Sequence, residues 1–286
     1  MPPRPFPRPD LPKPKRLPAG KRMTIALGVL GPNGVILGAD TEETIGDTKT
    51  DALKVSTGIS FGLRGGHPSA IAITGAGDSW YLDYLFEELV RHFRDHESLT
   101  VTQLESEFRT ILQKFYREHI IPFRPSEPDL DLRVIIGVQR DNQTALWVSS
   151  RSTLRKSYDH EAVGMGGTEA KRILRRATGS RHTLSLAAVI ACYAIQRAKE
   201  SVVGCGKNTV LLYLKDNSVF NVYPDVVEKA ESLFRKYEGQ EYSSFMYAVG
   251  QPFSDEAKHL EKMSKWNRDL REEFKQLTSQ MLEDSQ

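Results

Sequence analysis

Runs of apolar strands separated by pairs of amphipathic helices are the feature that most limits how this chain can fold. Residues 24–40 read as a β-hairpin: Thr24-Ile-Ala-Leu-Gly-Val-Leu, a Gly31-Pro-Asn-Gly34 turn, then Val35-Ile-Leu-Gly-Ala-Asp40. The polar stretch 41–51 reads as a loop. Leu53-Lys-Val-Ser-Thr begins another strand, and 69–74 is a short buried one. Gly75-Ala-Gly-Asp78 opens a helix whose stripe is Trp80, Leu82, Tyr84, Leu85, Leu89, Val90 and Phe93. A second helix covers 99–119, with Leu104, Phe108, Ile111, Leu112 and Phe115 on one face. Strands are predicted at 132–139, 144–149 and around 153–163, helices at 168–177 and 184–200. Two last strands, 209–214 and 218–223, enclose an Asp216-Asn217 turn. A doubly wound sheet would alternate strand and helix singly. This order instead predicts two sheets face to face with a helix pair outside each, a four-layer α/β/β/α sandwich. Residues 226–286 read as a charged helical C-terminal extension, broken near Gly239 and Gly250-Gln-Pro252. Its Trp266, Leu270 and Phe274 recur at helical spacing, suited to packing on their own domain or to docking a neighbour.

Charge is unevenly spread. Residues 1–22 hold eight of the 15 prolines, seven of the 39 Lys and Arg and one of the 37 Asp and Glu. The leader therefore carries +6. The rest, with 32 basic and 36 acidic residues, carries −4, so the overall +2 does not argue for a nucleic-acid partner. Each proline fixes φ and removes a donor, which predicts an extended or disordered leader. A docking arm for nucleic acid or an SH3-type module is the other reading. No apolar run approaches the ~20 residues that cross a bilayer. Cys192 and Cys205 are too few for a disulfide scaffold and read as buried small residues.

Three residues carry the chemistry. Thr24 begins the hairpin and Asp40 ends it, so the open end of the hairpin brings them together. Lys54 starts the next strand and can approach from the side. A threonine hydroxyl needs a nearby base. Were Thr24 the first residue of the working chain, its own α-amine, with an unperturbed pKa of about 8, could take the proton. A lysine beside the hydroxyl would lower its pKa, and a carboxylate would hold that lysine in place.

Thr24-Ile-Ala-Leu-Gly-Val and Gly34-Val-Ile-Leu-Gly-Ala-Asp40 resemble the opening of proteasome β-type subunits, including the HslV-like peptidase. Those are threonine proteases of the N-terminal-nucleophile hydrolase type, and the resemblance covers residues 24–225. It implies the sandwich above and a threonine-type endopeptidase with Thr24, Asp40 and Lys54 as catalytic groups. Gly75, in Gly75-Ala-Gly-Asp78, would supply an oxyanion-hole amide. Thr44 and Gly46, in Thr44-Ile-Gly46, would bind substrate backbone. It further implies an unfolded protein or peptide as substrate, a homo-oligomeric ring, an ATP-dependent unfoldase as a possible partner, a cytoplasmic location, and no metal or organic cofactor.

The chain departs from that pattern in several places. Met165 stands in Gly164-Met-Gly-Gly167 where the family has a serine. Glu200-Ser-Val-Val-Gly-Cys-Gly206 has no clean Asp-x-x-Ser-Gly, Ser201 being its nearest polar candidate. Glu42 replaces an arginine, and Met23 rather than glycine precedes Thr24. Removal of an initiator Met23 would expose Thr24. Two alternatives therefore stand beside the peptidase: a catalytically inactive ring subunit, and an amidase of the same type acting on a small molecule.

Other motifs read as structure. His92 and His96 sit four apart on a helix, without HExxH or a cysteine cluster, and read as an exposed face. Gly204-Cys-Gly-Lys-Asn-Thr209 lacks P-loop spacing and leads into a strand. The basic run from Lys171 to Arg181 reads as a solvated helix face.

Overall fold

The computed structural model describes residues 24–45, 48–60, 68–123, 132–177, 183–249 and 256–283. The leader, Met23, Gly46, His67, Arg181, His182 and the Gly250-Gln-Pro252 break lie outside them. The strands are β1 Ile25–Gly31, β2 Gly34–Asp40, β3 Glu42–Ile45, β4 Thr48–Asp51, β5 Val55–Ser60 and β6 Ser69–Ala76. Helices α1 Ser79–Asp95 and α2 Val101–Phe115 follow. Then come β7 Arg133–Arg140, β8 Gln143–Ser150, β9 Thr153–Ser157 and β10 His160–Gly164. Helices α3 Gly167–Ala177 and α4 Leu184–Ser201 precede β11 Thr209–Lys215 and β12 Ser218–Asn221, and α5 Pro224–Ala248 and α6 Glu256–Glu283 close the chain.

The expectation of a four-layer α/β/β/α sandwich of the N-terminal-nucleophile hydrolase type is corrected. The described chain forms three antiparallel sheets and six α-helices. One sheet has the order β10-β1-β2-β11-β12 and another β5-β6-β7-β8-β9, while β3 and β4 make a two-stranded ribbon of their own. That ribbon occupies the polar stretch expected to be a loop. Its alternating threonines suit an extended pair, and with no continuous apolar face it has no hydropathic signal. The single strand expected near 153–163 is two strands, and they belong to different sheets. Helix α5 runs through Gly239 without a break. On the outer side of the first sheet α5 and α6 join α3 and α4, with Leu270, Leu277 and Met281 of α6 entering the same core against α4 and α5.

Period-two alternation decides what each strand buries. In β1 and β2, Ile25, Leu27, Val29 and Ile36 turn toward α3, α4 and the C-terminal helices. Their neighbours Ala26, Val35, Leu37 and Ala39 meet Ala70, Ala72, Ile135 and Leu146 of the second sheet. That sheet's other face, with Ile71, Ile73, Val134, Ile136 and Trp147, packs on Leu85, Leu89, Phe93, Phe108 and Leu112 of α1 and α2. Each Val, Leu, Ile or Phe among them, fully buried, contributes roughly 1.5–3 kcal/mol. The inner layer is thin. A Cβ at Gly28 would lie 2.8 Å from Ile135 Cγ2 and 2.9 Å from Leu146 Cδ1, so glycine there lets the sheets approach.

Local signals place the ends of the elements. Pro32 and Asn33 are the loop between β1 and β2. Asp141-Asn142 and Asp216-Asn217 take positive φ, the two-residue geometry that matches strand twist. Asp78 caps α1 by accepting from the Trp80 N–H at 3.0 Å, and Thr100 and Gln103 form a reciprocal capping box on α2. The buried Arg140 guanidinium donates to the carbonyls of His96 at 3.0 Å and Leu99 at 2.7 Å, and lies 4.4 Å from the centroid of the Phe93 ring. It thereby satisfies acceptors where α1 ends.

Candidate functional site

Pairing of Ala26 with Ala39 brings the open end of the first hairpin together, so Thr24 stands beside Asp40. Thr24 Oγ1 donates to Asp40 Oδ1 at 2.8 Å. Lys54 immediately precedes β5, and its carbonyl accepts from Thr74 Oγ1 of β6 at 2.8 Å, which pins the backbone that carries it. Lys54 Nζ donates to Thr24 Oγ1 at 2.5 Å, to Asp40 Oδ1 at 2.7 Å, and to the Glu42 carbonyl. An ammonium has three N–H donors, and each finds an acceptor. Asp40 is fully buried, with four donors around it: the Thr24 hydroxyl, Lys54, the Ile25 N–H at 3.2 Å, and the Gly206 N–H at 2.9 Å on Oδ2. A carboxylate can persist in that setting only with such pairing.

The loop before β11 is held against the end of β2. Thr41 N–H donates to the Asn208 carbonyl at 3.0 Å, and Asn208 N–H returns a bond to Thr41 Oγ1 at 3.1 Å. From β10, Gly164 approaches Thr24 so closely that a Cβ would lie 2.2 Å from its carbonyl oxygen, and its φ of +87° is one that side chains rarely adopt. Gly166 N–H then donates to the Thr24 carbonyl at 3.3 Å. Cys205 is buried beside Gly166, and burial together with the Asp40 charge pushes its thiol up to about 12.

The cluster opens into a cavity of about 310 Å³ that Thr24, Lys54, Gly75 and Gly77 line. Leu53, Trp80, Leu82 and Phe86 form its apolar wall, and Glu42, Glu43 and Asp83 its acidic one. The Asp83 carboxyl is raised above its ordinary value, first by burial and then by the Glu43 charge.

Thr24, Asp40, Lys54 and Gly75 are thus brought to one place. Gly75 sits in β6 opposite Val134, and a Cβ added there would lie 2.7 Å from the Arg133 carbonyl oxygen, leaving no room for a side chain. Thr44 lies on β3 opposite Lys49. Gly46 is outside the described residues. Ser201 is not part of the site: its hydroxyl donates to the Arg197 carbonyl at 2.7 Å at the end of α4. Met165 is half-exposed. Sequence reasoning missed the Glu42 carbonyl, Cys205 and the Gly206 N–H. The signal for the last was the glycine-rich turn at 204–206, which reads as a false P-loop but supplies a backbone donor.

His92 and His96 stack with ring centroids 3.9 Å apart. His92 also meets Phe108, so it faces α2 rather than solvent. Burial and the neighbouring His96 lower its pKa. Among the described residues, no group of three His, Cys, Asp or Glu could hold a metal ion. No described helix is long and apolar enough to cross a membrane.

Several solved structures share this fold. Anbu (ancestral beta-subunit) from Yersinia bercovieri superposes with a TM-score of 0.62 at 14% identity, covering 81% of this chain and 100% of that one. Anbu from Hyphomicrobium sp. strain MC1 gives 0.60 at 16% identity, covering 77% and 97%. The helical assembly of the Anbu complex from Pseudomonas aeruginosa gives 0.64 at 15% identity, covering 81% and 99%. The fold resembles that of Anbu. The expected likeness to HslV-like threonine proteases is corrected accordingly, and at these identities the likeness speaks for fold alone. No protein-family model matches the sequence. No curated protein matches it either.

Proposed function

We propose that the chain is a proteasome-like subunit that assembles with copies of itself, and that Thr24 hydrolyses amide bonds of peptides in the cavity beside it. The first part is supported by the Anbu-like fold, one of whose representatives is described as a helical assembly. The second rests on one observation: Thr24 Oγ1 lies within 2.8 Å of both a buried carboxylate and a lysine ammonium at the head of a cavity.

In this reading Thr24 is the first residue of the working chain. Its Oγ attacks the substrate carbonyl, and the hydroxyl proton passes to the α-amine. Lys54 stabilises the developing alkoxide and Asp40 fixes Lys54. The Gly75 backbone supports the oxyanion, as preorganised amides do elsewhere. The C–N bond then breaks, the leaving amine takes the proton, and water hydrolyses the Thr24 ester to release the acid.

A second reading, a subunit that assembles without catalysis, is favoured by Met165 where a serine would support the amine. The Anbu structure from Pseudomonas aeruginosa is described as a helical assembly, which fits a subunit whose role is to assemble. One experiment separates the two. Intact mass of the purified protein gives its N-terminal residue, and a vinyl-sulfone probe reports the nucleophile. A chain starting at Thr24 with one adduct on Thr24 supports hydrolysis. A chain that quantitatively keeps residues 1–22, or a processed chain that takes no probe, supports the inert subunit.

A further inference from the structure

The cavity beside Thr24 is unbalanced in charge. Lys54 is the one cation among its described lining residues, and all three of its donors are engaged by Thr24, Asp40 and the Glu42 carbonyl. The Glu42 carboxylate is paired with Lys49 at 2.8 Å. Glu43 and Asp83 have no cationic partner among the described residues, and they stand close enough for the Glu43 charge to act on Asp83. Two carboxylates facing one cavity without a counter-charge repel each other and attract a cation.

The apolar lining adds an independent requirement. Trp80 is 82% exposed and Leu53 67% exposed, although both line the cavity. Large apolar groups left in water at a concave site mark a surface that a ligand covers. An occupant must therefore bring an apolar stem for Leu53 and Trp80 and a positive head for Glu43 and Asp83. Lysine and arginine side chains have that construction. An indole face adds its own attraction for a cation. A cavity of about 310 Å³ has the volume of roughly ten waters at ~30 Å³ each, enough for either side chain. A bare divalent cation would leave the apolar wall uncovered, and the described residues offer it no third ligand.

We propose that this cavity is a selectivity pocket for a basic side chain, so that the site acts on peptides carrying Lys or Arg at the residue whose carbonyl meets Thr24. The proposal rests on the hydrolase reading for the reaction but not for the binding, and the test keeps the two apart. The full-length protein as expressed is titrated with N-acetyl-argininamide and N-acetyl-leucinamide by NMR or calorimetry. The same preparation is assayed on fluorogenic peptide amides that differ only in Arg, Leu or Glu at the scissile position.

The expected results are at least tenfold tighter binding of the arginine compound, and kcat/KM in the order Arg, Leu, Glu. Asp83→Asn with Glu43→Gln lowers the Arg-to-Leu ratio about tenfold, and Asp83→Lys shifts preference toward Glu. Glu87→Gln, on the same helix but outside this cavity, leaves the ratio as it was. Selective binding of the arginine compound without hydrolysis would sustain the pocket and overturn the hydrolase reading. Hydrolysis or binding with no preference for the basic compound would overturn the pocket, as would a preference that survives the double substitution.

Discussion

Asp40 lies buried behind Thr24 and Lys54, the Glu43–Asp83 pair lines the cavity in front of them, and the fold treats these carboxylates in opposite ways. Asp40 has lost all contact with water, and four donors replace it. Glu43 and Asp83 keep contact with solvent and lack a described cation. A saturated carboxylate has nothing to offer a ligand and serves to fix its neighbours. An unsaturated one contributes little to the fold and stays available for recognition. The contrast separates a part of the site that positions from a part that selects.

The largest effects are expected on the saturated side. Lys54→Met removes one partner of a buried pair and leaves the Asp40 charge uncompensated, which costs about 3 kcal/mol or more of stability. It also removes the group nearest Thr24 Oγ1, so amide hydrolysis should fall by at least ~100-fold. Denaturant unfolding alongside a peptide assay reads both. The matched substitution Glu43→Gln should leave unfolding within about 0.5 kcal/mol of the parent. Equal destabilisation by the two would break the comparison.

Gly164→Ala tests the same cluster through the backbone. The added Cβ would stand 2.2 Å from the Thr24 carbonyl at a φ of +87°, so β10 must shift. Strain of that kind costs of order 1–3 kcal/mol and moves Thr24 with it. The expected outcome is a lower Tm together with loss of probe labelling at Thr24. A stable variant that labels normally would mean that Thr24 is not held from this side.

What the sequence made legible follows from the range of the interactions. The alternation in β1, β2, β6 and β7 and the paired stripes of α1 and α2 are local patterns, and a hairpin brings its own ends together. Thr24 and Asp40 could therefore be paired from sixteen residues of sequence. The Gly206 N–H on Asp40 is separated from it by 166 positions and is a backbone group, so no side-chain pattern announces it. The β3–β4 ribbon was hidden because its register is set by polar residues, and β10 because nothing local tells a strand which sheet to join. Gly239 misled for a different reason. It lies within α5, where a Cβ would meet nothing within 4 Å, and the rest of a 25-residue helix carries it. Gly239→Ala should consequently stabilise the protein by up to about 1 kcal/mol, through helix propensity alone. Because α5 lies outside the cavity, activity should not change with it. A shift in activity would tie the C-terminal helices to the site.

The smallest expected effect is the most specific to the unsaturated side. Asp83 titrates above its ordinary value of 3.8 in the folded protein, because burial and the Glu43 charge both disfavour the anion. Between the two values the folded state holds the proton more firmly than the unfolded chain. Protonation of this group therefore adds stability as pH falls through its folded pKa, and that gain is complete below the unfolded value. At neutral pH the ionised Asp83 is a slight liability, and solvent screening keeps it slight. Asp83→Asn should raise Tm by about 1–2 °C at pH 7, the equivalent of roughly 0.5 kcal/mol in a protein of this size, and by nothing below pH 3.8. In the parent protein the same titration should erode any preference for basic substrates as pH falls, beginning above the normal aspartate range, while the preference of Asp83→Asn should depend less on pH. A carboxylate already paired by a cation would behave in the reverse way, with Asp83→Asn destabilising most at neutral pH. That result would place Asp83 with Asp40 among the saturated groups and remove the distinction between the positioning and the selecting part of the site.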